Sequence, residues 1–455
     1  MGIETINPAT GQLIQSYEEH SRPEVSRVLD DVSGAFASWR DTEFGTRSAL
    51  YEGMAQLLRE RRESLAALMA AEVGKPLREG RAEVEKCTWV CEYYAAEAEG
   101  FLAPQAVATD ASKSYVAFQP LGSVLGIMPW NFPLWQVVRY AAPAMMAGNV
   151  AVLKHAPSAT GCSLAIEQLF EEAEFPANVF RSLVLENARV AEVIADERIA
   201  AVTLTGSTRA GRAVASQSGA VLKKTVLELG GSDPYLVLED ADLQLTVEAC
   251  ATSRLINCGQ SCIAAKRIVV VDGVLEEFER RFVERMSAAR MGDPTDEAVD
   301  IGPLARHDLR DNLHRQVAES VEAGAKLLLG GEIPDGPGAF YPPTVLTDVR
   351  AGMPAFDEEL FGPVAAIVPV ADEEEGITLA NSTMYGLGAA VFTADVARGE
   401  RIAAQRLDAG ACFVNEFVRS DPRLPFGGIK QSGYGRELSS FGIREFVNVK
   451  TVYVD

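Results

Sequence analysis

Between residues 149 and 229, short apolar runs alternate with segments that have the spacing of amphipathic helices. Strand patterns that alternate with helix patterns in this way predict βαβ units around a parallel sheet. This alternation constrains the fold more strongly than any other feature of the chain, because it restricts the region to an α/β architecture. The predicted strands are 149–153, 179–185, 199–205 and 225–229, and the predicted helices lie near 159–173, near 187–195 and from about 208.

One of these strand-to-helix junctions has the composition of a phosphate-binding turn. In "TGSTRAG" the predicted strand ends at Gly206 and Ser207, a helix begins at once, and Gly211 follows five residues after Gly206. Backbone N–H groups and the positive end of a helix dipole would then face the position of a pyrophosphate. The G-x-x-x-x-G spacing differs from the usual dinucleotide fingerprint, so a plain tight turn is an equal alternative.

A second region of alternating strand and helix patterns extends from about 230 to 430. Its clearest strands are predicted at 264–273, 325–331 and 365–370, with a helix at 275–292. The C-terminal segment 446–455 is rich in β-forming residues and would leave an open strand edge on a monomer. We therefore expect this edge to find a partner, either in the same chain or in a neighbouring subunit.

Composition and charge exclude several classes of function. Of the 455 residues, 47% are hydrophobic and 23% are charged, as in soluble globular proteins with a large core. A net charge of −22, without any basic run, argues against a nucleic-acid partner. The longest apolar stretch, 140–153, is short and interrupted, so we expect no membrane anchor. An N-terminus unlike a signal peptide, together with seven scattered cysteines, indicates a cytoplasmic location.

Two cysteines in "NCGQSC", Cys258 and Cys262, could form a disulfide, contribute to a metal site, or include one nucleophile. Structural zinc needs four ligands, and the four histidines have no partner at ligand spacing, so we expect no metal. Cys87 and Cys91 are also four residues apart, but they lie on an apolar stripe at helical spacing, which favours core packing. Neither a G-x-S-x-G nor an H-E-x-x-H motif supports a hydrolase.

Seven motifs occur in the order and spacing of the aldehyde dehydrogenase superfamily, which the chain resembles over essentially its whole length. Within the superfamily, "MPWNFPLWQ", "LKHAP" and "LELGGSDP" are most similar to bacterial succinate-semialdehyde dehydrogenases. The seven motifs are "PWNFP" (129–133), "LK" (153–154), "TGST" (205–208), "LELGG" (227–231), "GQSC" (259–262), "EELFGPV" (358–364) and "PFGGIKQSGYGRE" (425–437).

The resemblance implies an α/β fold with three parts. A Rossmann-like cofactor domain is expected at 1–110 and 124–228, an α/β catalytic domain at 229–432, and a small β bridging element at 111–123 and 433–455. It also implies a homo-oligomer, either a homodimer or a dimer of dimers, in which the bridging element contacts the neighbouring subunit.

Three residues are implied as catalytic. The thiol of Cys262 would add to the aldehyde, which makes the carbonyl carbon tetrahedral so that it can release a hydride, and a thioester would remain for water to cleave. The side-chain amide of Asn131 and the backbone N–H of Cys262 would stabilise the oxyanion. Glu228 would be the general base for the water, since burial raises a carboxyl pKa towards the useful range.

The resemblance also implies a site for NAD or NADP. Lys154 would bind the adenosine ribose, Ser207 and the Gly206 amide the pyrophosphate, and Glu359 the nicotinamide ribose. Relatives that strongly prefer NAD often have an acidic residue three positions after this lysine, where Pro157 lies here, so we expect both cofactors to work. The complete set of expected cofactor contacts is Trp130, Lys154, Ser158, Gly206, Ser207, Gly211, Leu229, Glu359 and Phe361.

The implied substrate is succinic semialdehyde, with Arg139 and Ser420 as its carboxylate contacts. A change at Arg139 is then expected to weaken oxidation of this substrate selectively, sparing a neutral aldehyde such as butanal. A second substrate arginine of some relatives corresponds to Ile256 here, which leaves one charge contact fewer. The alternatives are another small aldehyde such as glutarate semialdehyde, a CoA-acylating dehydrogenase, which would lack the carboxyl of Glu228, and a non-enzymatic scaffold, which would lack a catalytic residue.

Cys258 is not part of the chemistry shared by these relatives. It is either a buried residue that fills space, or the resolving thiol of a redox switch that would form a reversible disulfide with Cys262. The second interpretation requires that the loop bring the two Cα atoms within about 7 Å.

Overall fold

A computed structural model describes residues 2–455. Its strands are β1 (Ile3–Ile6), β2 (Leu13–Tyr17), β3 (Gln105–Ala106), β4 (Lys113–Pro120), β5 (Ser123–Met128), β6 (Val150–His155), β7 (Phe180–Ser182), β8 (Ile199–Thr205), β9 (Lys224–Glu228), β10 (Asp233–Val237), β11 (Ala265–Val271), β12 (Lys326–Leu329), β13 (Thr344–Thr347), β14 (Val364–Val370), β15 (Gly388–Phe392), β16 (Ala411–Val414), β17 (Gly433–Tyr434) and β18 (Val447–Val454).

Helices pack against these strands, and their ends follow local sequence signals. The first helix begins after Ser21, which forms a reciprocal capping box with Glu24. The helices are α1 (Arg22–Trp39), α2 (Phe44–Glu60), α3 (Arg62–Val73), α4 (Leu77–Phe101), α5 (Trp135–Met146), α6 (Thr160–Glu172), α7 (Val190–Ala195), α8 (Thr208–Ala220), α9 (Leu243–Leu255), α10 (Asp272–Ser287), α11 (His307–Glu322), α12 (Pro354–Asp357), α13 (Glu373–Asn381), α14 (Val396–Gln405) and α15 (Ser439–Gly442). In the described residues, no helix is both long and apolar enough to cross a membrane.

The first large sheet has the strand order β17-β9-β8-β5-β6-β7. All its pairings are parallel except the short one between β17 and β9. The expectation of βαβ units is confirmed, because each strand predicted between 149 and 229 belongs to this sheet. The carboxyl ends of β5, β6 and β8 lie side by side, and that edge is where open α/β sheets bind ligands.

The second large sheet has the order β12-β13-β14-β11-β10-β15-β16 and is parallel apart from β12. Its central strands are buried along their whole length, as is β11, because both faces of a parallel sheet are covered by helices. Each sheet has its own hydrophobic core. The expected α/β fold is therefore present in both halves of the chain.

The third sheet joins two segments that are distant in the chain. β18 pairs with β4 along eight residues, and β4 also pairs with β3. The segment expected as the C-terminal part of the bridging element, 433–455, is divided in the structure. Its first residues form β17 at the edge of the first large sheet, and Leu438 and Ile443 are buried in that sheet's core, so only 447–454 belong to the bridging sheet.

Candidate active site

A cavity of about 260 Å³ lies where helices of the first half meet loops of the second half. Its wall combines large apolar side chains with a few polar and charged groups, as small-molecule sites usually do. Cys262 contributes to it from the loop before β11. Other residues in the wall are Glu83, Lys86, Phe132, Trp135, Gln136, Arg139, Ile256, Ile263, Phe417, Arg419, Ser420 and Phe426.

Asn131 is held beside the loop that carries Cys262. It is buried between β5 and α5, and its Nδ2 donates to the Gln260 carbonyl at 3.0 Å. Its Oδ1 accepts a hydrogen bond from Gln136 Nε2 at 3.1 Å, so both ends of the amide are oriented. A carboxamide has two N–H donors, which leaves the second for an oxyanion that develops near Cys262.

The turn before Cys262 has an unusual backbone. Asn257 and Cys258 have φ values of 54° and 56°, in the left-handed region, and Gly259 follows with φ of 74°. A β-carbon on Gly259 would lie 2.1 Å from the Gly362 carbonyl oxygen, so this position requires glycine. Such strain costs roughly 1–3 kcal/mol per residue and persists only where the surroundings hold it. Asn257 supplies one such restraint, because its Nδ2 donates to the Asn131 carbonyl at 2.6 Å.

Burial raises the pKa of the Cys262 thiol to about 12, although the cations of Lys266 and Arg139 oppose that shift. The Nζ of Lys266 donates to the carbonyl oxygens of Ser261 at 2.8 Å and Cys262 at 2.6 Å. Lys266 therefore anchors the backbone of the loop as well as placing a positive charge near the thiol. The thiolate is the nucleophilic form, so the thiol must lose its proton before or as it attacks.

Glu228 ends β9 with its carboxyl group buried. Within residues 2–455, neither of its oxygens has a hydrogen-bond partner. Burial, and then the nearby carboxyl of Glu437, hold the pKa of Glu228 well above its ordinary value, whereas Arg139 acts in the opposite direction. A carboxyl group without partners and with a raised pKa has the properties of a general base that acts on a bound water.

Arg139 lies in the cavity wall, as expected of a substrate contact, but its positive charge already interacts with other groups of the protein. It forms a buried ion pair with Glu437, its Nη2 donates to Thr205 Oγ1 at 3.3 Å, and its guanidinium lies 4.9 Å from the centre of the Phe426 ring. Arg139 therefore stabilises the buried carboxylate of Glu437 and opposes the rise in the pKa of Glu228. The expectation that a change at Arg139 affects a single substrate stays a prediction, and the ion pair with Glu437 favours an effect on every aldehyde instead.

The carboxyl end of β6 has the features of an adenosine-ribose site. Lys154 is buried there, its pKa is lowered to about 8 by burial, and its Nζ donates to Asn187 Oδ1. Four residues later the Ser158 hydroxyl is buried without a hydrogen-bond partner among the described residues. An unpartnered hydroxyl beside a buried lysine fits the ribose or the 2′-phosphate of a dinucleotide. Between them, Pro157 adds no negative charge.

The Gly206 N–H at the predicted pyrophosphate turn already has a partner, because it donates to the Glu228 carbonyl at 2.9 Å. Its contact with a pyrophosphate stays a prediction. Ser207 caps α8 by accepting from Ala210 N–H, and the remaining N–H groups of the first turn are the available donors. A β-carbon on Gly211 would lie 2.5 Å from the Leu229 side chain, so this glycine lets the helix approach Leu229 closely.

Glu359 and Phe361 lie at the junction of the two halves. Glu359 Oε1 accepts from the Gly231 N–H at 3.1 Å and lies 3.2 Å from Lys266 Nζ. A β-carbon on Gly230 would lie 2.3 Å from Glu359 Oε2, so that glycine allows the carboxylate to approach. The Phe361 ring meets Trp130 edge to face, with 5.8 Å between centroids. Lys266 connects Glu359 to the loop of Cys262, because its Nζ also donates to the Cys262 carbonyl.

Ser420 lines the cavity, as the sequence predicts, but with a partner that the sequence did not reveal. Its Oγ accepts a hydrogen bond from Lys86 Nζ at 2.7 Å, and the two residues are 334 positions apart in the chain. Lys86 occurs on α4 among other charged residues, so no sequence signal separates it from a solvated helix face. The arginines that flank Ser420 are paired with neighbours, Arg419 with Glu416 and Arg423 with Asp421.

Both cysteines of "NCGQSC" are free thiols in the structure. The Cys258 Sγ accepts from the Gly302 N–H at 3.1 Å, and the side chain is buried in the core of the second sheet, whereas Cys262 packs against the first. Cys258 thus fills space in the core, and the redox switch stays a hypothesis. Cys87 and Cys91 are buried in α4, as expected of core residues, and no group of metal-ligating side chains occurs within residues 2–455.

Comparison with known proteins agrees with this geometry. Residues 1–452 match the model of the aldehyde dehydrogenase family, and the chain belongs to that family. It is 48% identical over 454 residues to a probable succinate-semialdehyde dehydrogenase [NADP(+)] of Synechocystis, with all of both chains covered. It is 46% identical to a succinate semialdehyde dehydrogenase [NAD(P)+] of Escherichia coli, with 99% of this chain and 97% of that one covered.

A solved structure gives the same result at the level of the fold. The succinic semialdehyde dehydrogenase of Streptococcus pyogenes, determined in complex with NADP+, superposes with a TM-score of 0.97 at 36% identity, covering 99% of each chain. The expected aldehyde dehydrogenase fold, and an enzyme of that family, are therefore confirmed.

Proposed function

We propose that the protein oxidises succinic semialdehyde to succinate with NADP or NAD. The observation that carries the proposal is the cavity, which has the thiol of Cys262 in the same wall as Ser420 and two basic side chains, the buried Arg139 and the partly buried Lys86. A small aldehyde with a carboxylate at its other end matches such a site. The names of the Synechocystis and Escherichia coli relatives support the same substrate.

The chain's own residues account for each step. The Cys262 thiol gives its proton to solvent water as its sulfur bonds to the aldehyde carbon, and the second N–H of the Asn131 amide stabilises the oxyanion. A bound nicotinamide cofactor would supply the acceptor for the hydride that leaves this carbon. Glu228 takes a proton from water as the water oxygen attacks the resulting thioester. The C–S bond then breaks, the proton passes from Glu228 to the Cys262 sulfur, and the product acid leaves as succinate after losing its proton to solvent.

Both cofactors are expected to work. The N-terminal turn of α8 provides donors for the pyrophosphate, Lys154 a cation near the ribose, and Ser158 a hydroxyl without a partner. Pro157, which lies between them, adds no negative charge that would repel a 2′-phosphate. The Streptococcus pyogenes structure with NADP+ supports the binding of NADP by this fold. A preference for NAD above about a hundredfold, roughly 2.7 kcal/mol, would contradict it.

The experiment is a panel of initial rates, measured without CoA, for succinic semialdehyde, glutarate semialdehyde and butanal with each cofactor. We expect the highest kcat/KM for succinic semialdehyde, and formation of reduced cofactor without CoA because Glu228 can activate water. Equal kcat/KM for succinic semialdehyde and butanal would refute the proposal that succinic semialdehyde is the preferred substrate. A strict requirement for CoA would refute the hydrolytic step.

We also propose a cytoplasmic homo-oligomer, either a homodimer or a dimer of dimers. β18 is an edge strand of its sheet and leaves Val449 and Tyr453, at 61% and 53% exposure, on the surface of one chain. An open strand edge with exposed apolar side chains favours a partner. Seven free thiols support a reducing compartment. A monodisperse monomer by light scattering at micromolar concentration would contradict the assembly.

A further inference from the structure

The cavity contains a lysine that reaches it from α4. Lys86 Nζ lies 4.5 Å from the centre of the Trp135 ring and 2.7 Å from Ser420 Oγ. Two different parts of the fold, the N-terminal helices and the loop 417–426, thus meet at one ammonium group. Because Lys86 donates to the Ser420 oxygen, the hydroxyl proton of Ser420 remains available to a ligand acceptor.

The basic side chains of the cavity differ in whether they have a carboxylate partner. Arg139 is paired with Glu437 in the interior, and the Arg419 side chain is 56% exposed and lies 3.5 Å from Glu416. Within residues 2–455, by contrast, Lys86 has no carboxylate within 4.0 Å.

The two carboxyls that favour the charge of Lys86 each have a cation of their own. Glu83 pairs with Lys75, and Asp421 pairs with Arg423. Lys86 is therefore a cation in the cavity wall whose charge no described carboxylate neutralises.

An ammonium group in this position is destabilised by the protein around it. Burial, followed by the nearby charge of Arg139, lowers the pKa of Lys86 to about 8. Trp135 offers the face of its ring, which offsets part of that cost. A carboxylate entering the cavity would favour the charged lysine and would also accept from the Ser420 hydroxyl, in charge-assisted hydrogen bonds that are stronger than neutral ones.

We propose that Lys86, with Ser420, binds the carboxylate of the substrate at the end remote from the aldehyde and determines the preference for an acidic aldehyde. This inference rests on the proposed oxidation of succinic semialdehyde and assigns the recognition of its charge to a lysine of α4. Arg139 is then mainly the partner of Glu437, and Trp135 supports the stem of Lys86.

The test is Lys86→Met, which keeps an unbranched stem but removes the charge. We expect the ratio of kcat/KM for succinic semialdehyde to that for butanal to fall at least tenfold, about 1.4 kcal/mol, mainly through KM for succinic semialdehyde. Lys86→Arg should recover part of the ratio. The control is Lys326→Met, a surface lysine paired with Asp348, which should leave the ratio unchanged.

The outcomes separate this inference from the function on which it rests. If the unaltered enzyme does not prefer succinic semialdehyde, the proposed function fails. If it does, and Lys86→Met keeps the preference, the inference about Lys86 alone is overturned. Equal losses for both aldehydes would assign Lys86 to the fold and overturn the inference as well.

A second measurement covers the case in which Lys86→Met does not fold. Succinate should inhibit the unaltered enzyme in competition with succinic semialdehyde, and Ser420→Ala, which removes the other proposed contact, should weaken that inhibition at least fivefold. Unchanged inhibition by succinate in Ser420→Ala would overturn the proposed carboxylate site.

Discussion

Replacing Arg139 with methionine removes the positive charge between two buried carboxyls, Glu437 and Glu228. Breaking a buried ion pair by removing one partner typically costs about 3–5 kcal/mol. We expect the lower end, about 3 kcal/mol, because burial already raises the pKa of both carboxyls and each can take up a proton. Arg139 would also lose its contacts with the Phe426 ring and the Thr205 hydroxyl.

The same change should alter catalysis for every aldehyde. Arg139 opposes the rise in the pKa of Glu228, so its loss raises that pKa further and leaves less ionised base at a given pH. The acid limb of the kcat profile should therefore move to higher pH for both succinic semialdehyde and butanal. Urea unfolding of the same Arg139→Met preparations measures the stability loss.

A double variant distinguishes the ion pair from simple damage to the core. Arg139→Met with Glu437→Leu removes both charges, and a buried pair replaced by apolar side chains is often neutral or stabilising. We expect the double variant to regain most of the stability lost in Arg139→Met. The reasoning is refuted if Arg139→Met costs less than about 1 kcal/mol, or if the double variant is less stable than the single one.

Three further predictions follow from the site. Asn131→Ala should lower kcat/KM about 10²–10³-fold for charged and neutral aldehydes alike, as loss of one oxyanion donor does, and a loss confined to one aldehyde would count against that role. Pro157→Glu should lower the kcat/KM ratio of NADP to NAD at least about fivefold, because unit charges about 4 Å apart repel by roughly 1 kcal/mol even in water; an unchanged ratio would place the 2′-phosphate elsewhere. The preference for succinic semialdehyde over butanal should be greatest well below pH 8 and fall as the pH rises through about 8. The reason is that Lys86, whose charged neighbours are Arg139, Cys87, Glu83 and Asp421, has its pKa lowered to about 8 by burial and loses its charge over that range. The rates are compared as a ratio so that titration of Cys262 cancels, and a ratio that stays constant from pH 6.5 to 9.5 would contradict the prediction.

Much of the backbone could be predicted from local patterns. The strand expected at 199–205 is β8 (Ile199–Thr205), and the helix expected near 159–173 is α6 (Thr160–Glu172). The strand expected at 365–370 differs from β14 by one residue. Such elements follow from the spacing of apolar residues, which repeats every two residues in a strand and about every 3.6 in a helix. Local motifs also predicted the thiol of Cys262 and the carboxyl of Glu228 as candidate site groups.

Local motifs do not contain the partners that a side chain finds after folding. Arg139 meets Glu437 and Lys86 meets Ser420 across hundreds of residues, and no spacing within one segment signals either contact. The motif around Gly206 likewise does not reveal that its N–H donates a hydrogen bond to the carbonyl of Glu228 at the end of β9.

The sequence by itself determined the α/β fold, the family, and the types of residue available for chemistry, because these depend on periodicity and short motifs. Only the tertiary structure decided which charges are neutralised and which face the cavity. Arg139 and Lys86 are both basic residues on helices, yet one is paired in the interior and the other is not. Burial and the distance to an opposite charge set the protonation and the role of each, and both quantities arise only when remote segments pack together.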